Sequence, residues 1–164
     1  MINKYTEKDV NNILNVINDA ALKYKGVIPE DSWQEPYMTD QELIDEFANN
    51  VRIFGYTVED KLVGVMGIQE LEDVTLIRHA YVLSGHQGMG IGRSLLEYLF
   101  QINKSCRLLV GTWEGATWAV RFYLNNGFFL HERSEIDQLL KKYWEVPKLQ
   151  MENSVVLEKT MGVN

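Results

Sequence analysis

The sequence predicts an α/β fold: one domain in which helices cover both faces of a central mixed, mostly antiparallel sheet. Three observations carry that expectation. Apolar residues recur at helical spacing over 11–22, 39–47 and 91–102. Runs rich in Val, Ile, Thr and Tyr alternate with helical segments from Arg52 onward. Across 164 residues there is no repeat and no Ser/Gly/Pro-rich linker at which to divide the chain. A chain this long holds one full core and is short for two, so residues 1–164 read as a single domain.

Thr6 fits an N-cap for the first helix, with Asp9 standing in for the usual Glu or Gln of a capping box. Ile13, Leu14, Val16, Ile17, Ala20, Ala21 and Leu22 give that helix its apolar side, and Gly26 and Pro29 break the pattern. Thr39 or Asp40 caps a second helix with Leu43, Ile44 and Phe47 on one face. The period then changes to strand: 52–58 and 61–69 flank Glu59-Asp60 as a tight hairpin turn, and 73–83 follows as a third strand. A glycine-rich turn leads into a strongly amphipathic helix with Ile91, Leu95, Leu96, Leu99 and Ile102 on one side. Residues 107–113 read as a buried strand, 116–125 as a helix stopped at Gly127, and 127–132 as a strand. A helix over 136–144 ends before Pro147, and 154–158 closes the chain as a strand.

Composition narrows the function classes. With 46% hydrophobic and 24% charged residues the chain is globular. No apolar run approaches the roughly 18 residues of a membrane span, and the N-terminus carries no apolar signal core, so no membrane partner and a cytoplasmic location are expected. The single cysteine, Cys106, leaves no disulfide framework and no Cys-based zinc cluster. His86 and His131 lack partners at metal-ligand spacing, and no metal is expected. A net charge of −7 argues against nucleic acid as a partner. Residues 1–50 hold ten acids against four lysines, which suits either a cationic ligand or a solvated helix surface.

The most informative segment is Gln87-Gly88-Met89-Gly90-Ile91-Gly92-Arg93, between a strand and a helix. Glycines let the backbone approach a ligand, and N–H groups at a helix N-terminus bind anions such as a diphosphate. Three glycines also serve a purely structural turn. A nucleotide-hydrolase phosphate loop would end Gly-Lys-Ser/Thr, where this chain has Gly92-Arg93-Ser94; a dinucleotide fingerprint would space its glycines two and three apart, and here they are two and two. The pattern that does fit is Gln/Arg-x-x-Gly-x-Gly/Ala, through Gln87, Gly90 and Gly92. A second segment, Ala119-Val120-Arg121-Phe122-Tyr123-Leu124-Asn125-Asn126-Gly127-Phe128, matches Ala-x-x-Phe/Leu-Tyr-x-x-x-Gly-Phe.

On these two motifs the chain resembles the GCN5-related N-acetyltransferase (GNAT) superfamily over essentially its whole length. The resemblance implies acetyl-CoA as cosubstrate, its diphosphate received by Gln87, Gly88, Met89, Gly90, Ile91, Gly92 and Arg93. Its pantetheine would lie along the preceding strand at Tyr81, Val82 and Leu83, pairing like an added strand, and Ala119 and Phe122 join the cofactor-binding residues. Tyr123 falls on the tyrosine that family members use to protonate the departing thiolate, a sensible role for a phenol of pKa about 10 beside a thiol near 8.5. Many relatives also place an Asn three or four residues before the alanine. Here those positions are Ala116 and Gly115, so that contact is missing or moved, with Thr112, Trp113 and Thr117 as nearby substitutes.

An alkylammonium must lose a proton before it attacks a thioester. Glu70, Glu72, Asp73, His79 and Glu114 are candidates for the base; His79 and then Glu70 lead, and positioning with proton loss to water is the alternative. Arg78 and His79 point to opposite faces of their strand unless a bulge intervenes. Cys106 lies outside both motifs, so the amine is expected to attack directly, with the Val82 N–H holding the carbonyl oxygen. Trp33 and Tyr37, beside Glu30, Asp31 and Glu35, could hold a cationic acceptor or pin a long loop to the core. Trp113, Trp118 and Trp144 read as core residues. The expected acceptor is the primary amine of a small molecule. A protein or peptide amine, and a non-catalytic acyl-CoA sensor, are the alternatives. A homodimer could form if the last strand pairs at a sheet edge.

Overall fold

In the computed structural model, which describes residues 1–162, local signals set the two N-terminal helices. Thr6 accepts from the Lys8 N–H and its own N–H donates to Asp9, closing a capping box over the 3-10 turn Glu7–Asp9 that opens α1 (Val10–Ala21). Thr39 and Glu42 make the same reciprocal pair at α2 (Asp40–Ala48). Each cap satisfies donors that a helix start leaves without an intrahelical partner.

The strands are β1 (Ile2–Tyr5), β2 (Arg52–Val58), β3 (Lys61–Glu70), β4 (Thr75–Val82), β5 (Arg107–Trp113), β6 (Phe129–Leu130) and β7 (Ser154–Thr160). They form one sheet in the order β1-β2-β3-β4-β5-β7-β6, antiparallel throughout except for β4 against β5. The β2–β3 turn is the expected Glu59-Asp60, both with positive φ (50° and 64°), the twist that a two-residue hairpin needs. β3 is buried without interruption from Leu62 to Ile68, as a strand covered on both faces must be. α1 and α2 pack together, and α1 lies on β3 and β4. α3 (Ile91–Ile102) covers the other face, seated on Gly64, where a Cβ would stand 2.8 Å from Ile91 Cγ2. α4 (Thr117–Asn125), α5 (Arg133–Tyr143) and α6 (Lys148–Glu152) complete the chain. No helix among the described residues is long and apolar enough to cross a membrane.

Four departures from the sequence reading stand out. β1 is held by non-local pairing with β2, Ile2↔Tyr56 through Tyr5↔Ile53, and four residues carry too little period to announce it. α6, of five residues, has the same difficulty. The strand expected over 127–132 keeps only Phe129 and Leu130, because α5 begins at Arg133. The last strand is not a sheet edge. β7 lies between β5 and β6, which pairs with its Leu157 and Glu158.

Glu158 of β7 ties this side of the sheet together. It is 6% exposed, and its two oxygens accept from Arg107 Nη2 at 2.9 Å and Nε at 3.0 Å, with His131 Nε2 at 2.9 Å. The Arg107 hydrogen bonds hold its carboxyl below the usual carboxylate range, against the opposing pull of burial. Acid therefore protonates the unfolded chain first, and the stabilisation is present above about pH 4.3 and is lost as pH falls through the lower folded-state value. Glu158→Gln is expected to cost about 1.5–3 kcal/mol at pH 7 by urea unfolding, with the difference from wild type shrinking below about pH 4.

Candidate active site

The site is created where β4 leaves β5. Their pairing covers only Thr75↔Leu108, Leu76↔Leu109 and Ile77↔Val110. On the other side β4 stays on β3, but with a bulge: the register runs Gly67↔Arg78 and then Val65↔Tyr81, so His79 and Ala80 together oppose Met66. His79 takes φ 54°, a left-handed conformation rare for a residue with a side chain. The bulge cancels the alternation that would send Arg78 and His79 to opposite faces. Both reach one oxygen of Glu46 on α2, Arg78 Nη2 at 3.0 Å and His79 Nε2 at 2.5 Å. Burial pushes the Glu46 carboxyl up, but the His79 hydrogen bond and the nearby Arg78 charge outweigh it, and the net pKa is lowered.

Two cavities flank the free part of β4. The first, about 290 Å³, is lined by Tyr24, Gln34, Tyr37, Glu42, Arg78, His79, Tyr81, Thr112 and Trp113, among others. The second, about 440 Å³, runs from the glycine loop past Trp118, Ala119 and Phe122 to Tyr123. Tyr24 and Tyr81 line both and form the partition between them, their rings 6.3 Å apart and nearly perpendicular. Burial raises the phenols: Tyr24 to about 12, Tyr37 upward, and Tyr81 and Tyr123 well above an ordinary tyrosine. At neutral pH these phenols are protonated. Tyr123 is 4% exposed, stacked on Phe122 and edge-on to Phe128.

The second cavity has the chemistry of a receptor for a diphosphate on a long chain. Gly88 and Gly90 have φ of 77° and 79°, and a Cβ on either would meet nothing, so backbone conformation, not crowding, requires glycine there. Gly90 caps α3, whose first N–H groups have no intrahelical partner. Lys23 and Arg93 bring cationic side chains to the lining. His86 Nδ1 is buried there without a hydrogen-bond partner, an unsatisfied polar atom that a ligand could engage. These residues fit the diphosphate and pantetheine of acetyl-CoA.

Most expected site residues gather here, and several do not. Gln87, Gly88, Gly90, Ile91, Gly92, Arg93, Ala119, Phe122 and Tyr123 all line the second cavity. Met89, 68% exposed, stands outside that lining. Leu83 is corrected: its N–H donates to Val63 O at 2.8 Å, and its side chain is buried. Tyr81 shares the ladder phase of Leu83, so its backbone also faces β3 and its ring serves instead as partition. Val82 alone of the three turns its backbone to the open edge, where Gln87 Nε2 donates to its carbonyl at 3.1 Å.

Glu70 is corrected too. It sits at the far end of β3, paired with Arg52 at 2.8 Å in a separate depression, because β3 runs antiparallel to β4 and its last residues lie away from the splay. Asp73 is engaged by Tyr143 and Lys142, and Glu114 faces Arg133. Tyr37 lines the first cavity and accepts from Trp113 Nε1 at 2.8 Å. Trp33 stacks behind it at 5.9 Å, outside the lining. Thr112 and Trp113 belong to the first cavity, so neither they nor Thr117 supplies the missing Asn contact in the second. Glu46, Tyr24, Lys23 and His86 are additions. Tyr24 and Lys23 follow α1 in the 3-10 turn Leu22–Tyr24, just past the last periodic residue of the helix. The signal for Glu46 is absent from any local pattern.

Residues 49–129 match the family model described as an acetyltransferase (GNAT) domain. No curated protein matches the chain by sequence. Among solved structures, the PaiA N-acetyltransferase of Thermoplasma acidophilum, in complex with coenzyme A, superposes with a TM-score of 0.74 at 17% identity, over 98% of each chain. A GNAT-family acetyltransferase from Staphylococcus aureus Mu50 gives 0.73 at 18% identity over 99% of each. The ribosomal-protein-S18-alanine N-acetyltransferase of Escherichia coli gives 0.70 at 14% identity over 100% of this chain and 95% of its own. By that family model residues 49–129, the segment that carries both motifs, form an acetyltransferase (GNAT) domain, and the chain shares its fold with these acetyltransferases from end to end.

Proposed function

We propose that the protein, acting as one domain over residues 1–164, transfers an acetyl group from acetyl-CoA to a primary amine of a small molecule. One observation carries the reading: two cavities on either side of the open edge of β4 meet at Tyr24 and Tyr81. One bears groups suited to an anion and a long chain, and the other is polar and small.

Acetyl-CoA supplies the acetyl group as a thioester. The loop from Gln87 to Arg93, with Lys23, binds the diphosphate, and the edge of β4 at Val82 orients the chain that follows it. The Val82 N–H is the donor for the carbonyl oxygen. Tyr123, protonated at neutral pH as any phenol is, gives its proton to the leaving sulfur. The acceptor occupies the first cavity with its amine toward the partition, where His79 takes its proton. A volume of about 290 Å³ suits a small acceptor. The Escherichia coli neighbour is named for a protein alanine, so peptide amines belong in the same assay as small amines.

Tyr123→Phe is expected to lower kcat by about 10²–10⁴-fold while the Kd for acetyl-CoA, read by calorimetry, stays within about twofold. Equal turnover in the variant would assign the proton to another acid. Gly90→Val forces a branched side chain into φ 79° and is expected to weaken acetyl-CoA binding by about 5- to 150-fold. Unchanged affinity would remove the loop from the site.

A further inference from the structure

We infer that Glu46 is a positioning residue: its carboxylate holds the proton of His79 on Nε2 and leaves Nδ1 open to the acceptor cavity. The inference rests on the acetyltransferase reading above and adds a residue that neither motif contains. A neutral imidazole has one N–H and one lone pair, and the partner of one nitrogen decides the role of the other. His79 Nε2 faces Glu46 Oε2, and an ionised carboxylate only accepts. That nitrogen therefore carries the hydrogen. Among the described residues, Nδ1 of His79 has no hydrogen-bond partner, and His79 lines the cavity assigned to the acceptor.

Three features make the contact more than an incidental ion pair. The left-handed φ of 54° at the bulge turns His79 toward α2, where an unbulged strand would alternate it away from Arg78. Arg78 Nη2 lies 3.0 Å from the same Glu46 oxygen, while its Nη1 donates to Gln69 Oε1 at 3.0 Å, so the guanidinium is fixed at both ends and offsets the carboxylate charge beside the imidazole. The other ionisable groups on this cavity are Glu42 from α2, Tyr37 before it, Tyr24 after α1 and Tyr81 on β4. Glu42 is spent on the Thr39 cap. The proton step then balances. An N–H bond of the acceptor ammonium breaks, one forms at Nδ1, and the amine lone pair is freed. The imidazolium keeps its Nε2–H on Glu46 and releases the Nδ1 proton to water after turnover.

The test reads the histidine tautomer directly in protein labelled with 15N-histidine, by long-range 15N–1H correlation spectra. The chain has three histidines, so His86→Gln and His131→Gln assign the signals. The expected wild-type state of His79 is the Nε2–H tautomer. Glu46→Gln keeps it, because Arg78 pins the amide oxygen, and Glu46→Ala loses it. With an amine acceptor, Glu46→Ala is expected to lower kcat at least about tenfold with the acetyl-CoA Kd unchanged, and to have no further effect in a His79→Ala background. The Nδ1–H tautomer, or an imidazolium throughout the pH range of turnover, would overturn the inference. So would an Ala variant with the wild-type spectrum, or one whose kcat loss persists without His79. If Glu46→Ala does not fold, the wild-type tautomer and the Gln spectrum decide. The spectra need no turnover, so a protein that acetylates no amine would defeat the functional reading and leave the tautomer result standing.

Discussion

The separation of β4 from β5 after three paired residues is the constraint on which the site depends. A sheet strand normally spends its N–H and C=O groups on two neighbours. Here the bulge at His79 and Ala80 re-aims β4 while β3 keeps hold of it, as the Leu83–Val63 hydrogen bond shows. Past Ile77 the opposite edge of β4 has no strand partner, and Gln87 Nε2 engages the Val82 carbonyl there. Unpaired backbone in such a place is costly unless water or a ligand satisfies it. Both cavities lie along this edge, where a ligand could satisfy those groups.

The polar groups around the edge are arranged to tolerate burial without losing their chemistry. Phenols can be buried as neutral donors, and Tyr24, Tyr81 and Tyr123 are kept protonated by burial. Burial disfavours a carboxylate, and at Glu46 the hydrogen bond from His79 and the charge of Arg78 at the same oxygen offset that penalty. Such a buried ion pair is weak evidence for stability, since desolvation offsets most of the attraction. Its value here is geometric. It fixes the orientation of a bulge residue whose backbone conformation is itself unfavourable. The contrast with Glu158 is instructive: there Arg107 grips both oxygens far from either cavity, and the same residue types serve only the sheet.

Much of the fold was legible because its signals are local. Capping boxes at Thr6 and Thr39, the Glu59-Asp60 turn and the period of α3 each lie within a few residues of chain. The glycine loop and the helix carrying Tyr123 were legible for the same reason. What could not be read depends on contacts between distant segments. β1 exists through β2, the last strand is covered by a two-residue β6, and Glu70 is separated from His79 by the antiparallel course of β3 and β4. Glu46 meets His79 across 33 positions, through a bulge that no spacing rule announces. Which backbone groups of β4 face β3 is likewise set by pairing, and the Leu83 N–H is taken by Val63.

The most direct test of the open edge is amide hydrogen exchange at Val82 with and without acetyl-CoA. Its N–H faces away from β3, whereas the neighbouring Leu83 N–H is already paired with Val63. The predicted result is marked protection of Val82 on adding saturating acetyl-CoA, with Leu83 unchanged. A bound cofactor that leaves the Val82 amide exchanging as fast as before would contradict the account, because the edge of β4 would then not be where the chain of the cofactor lies.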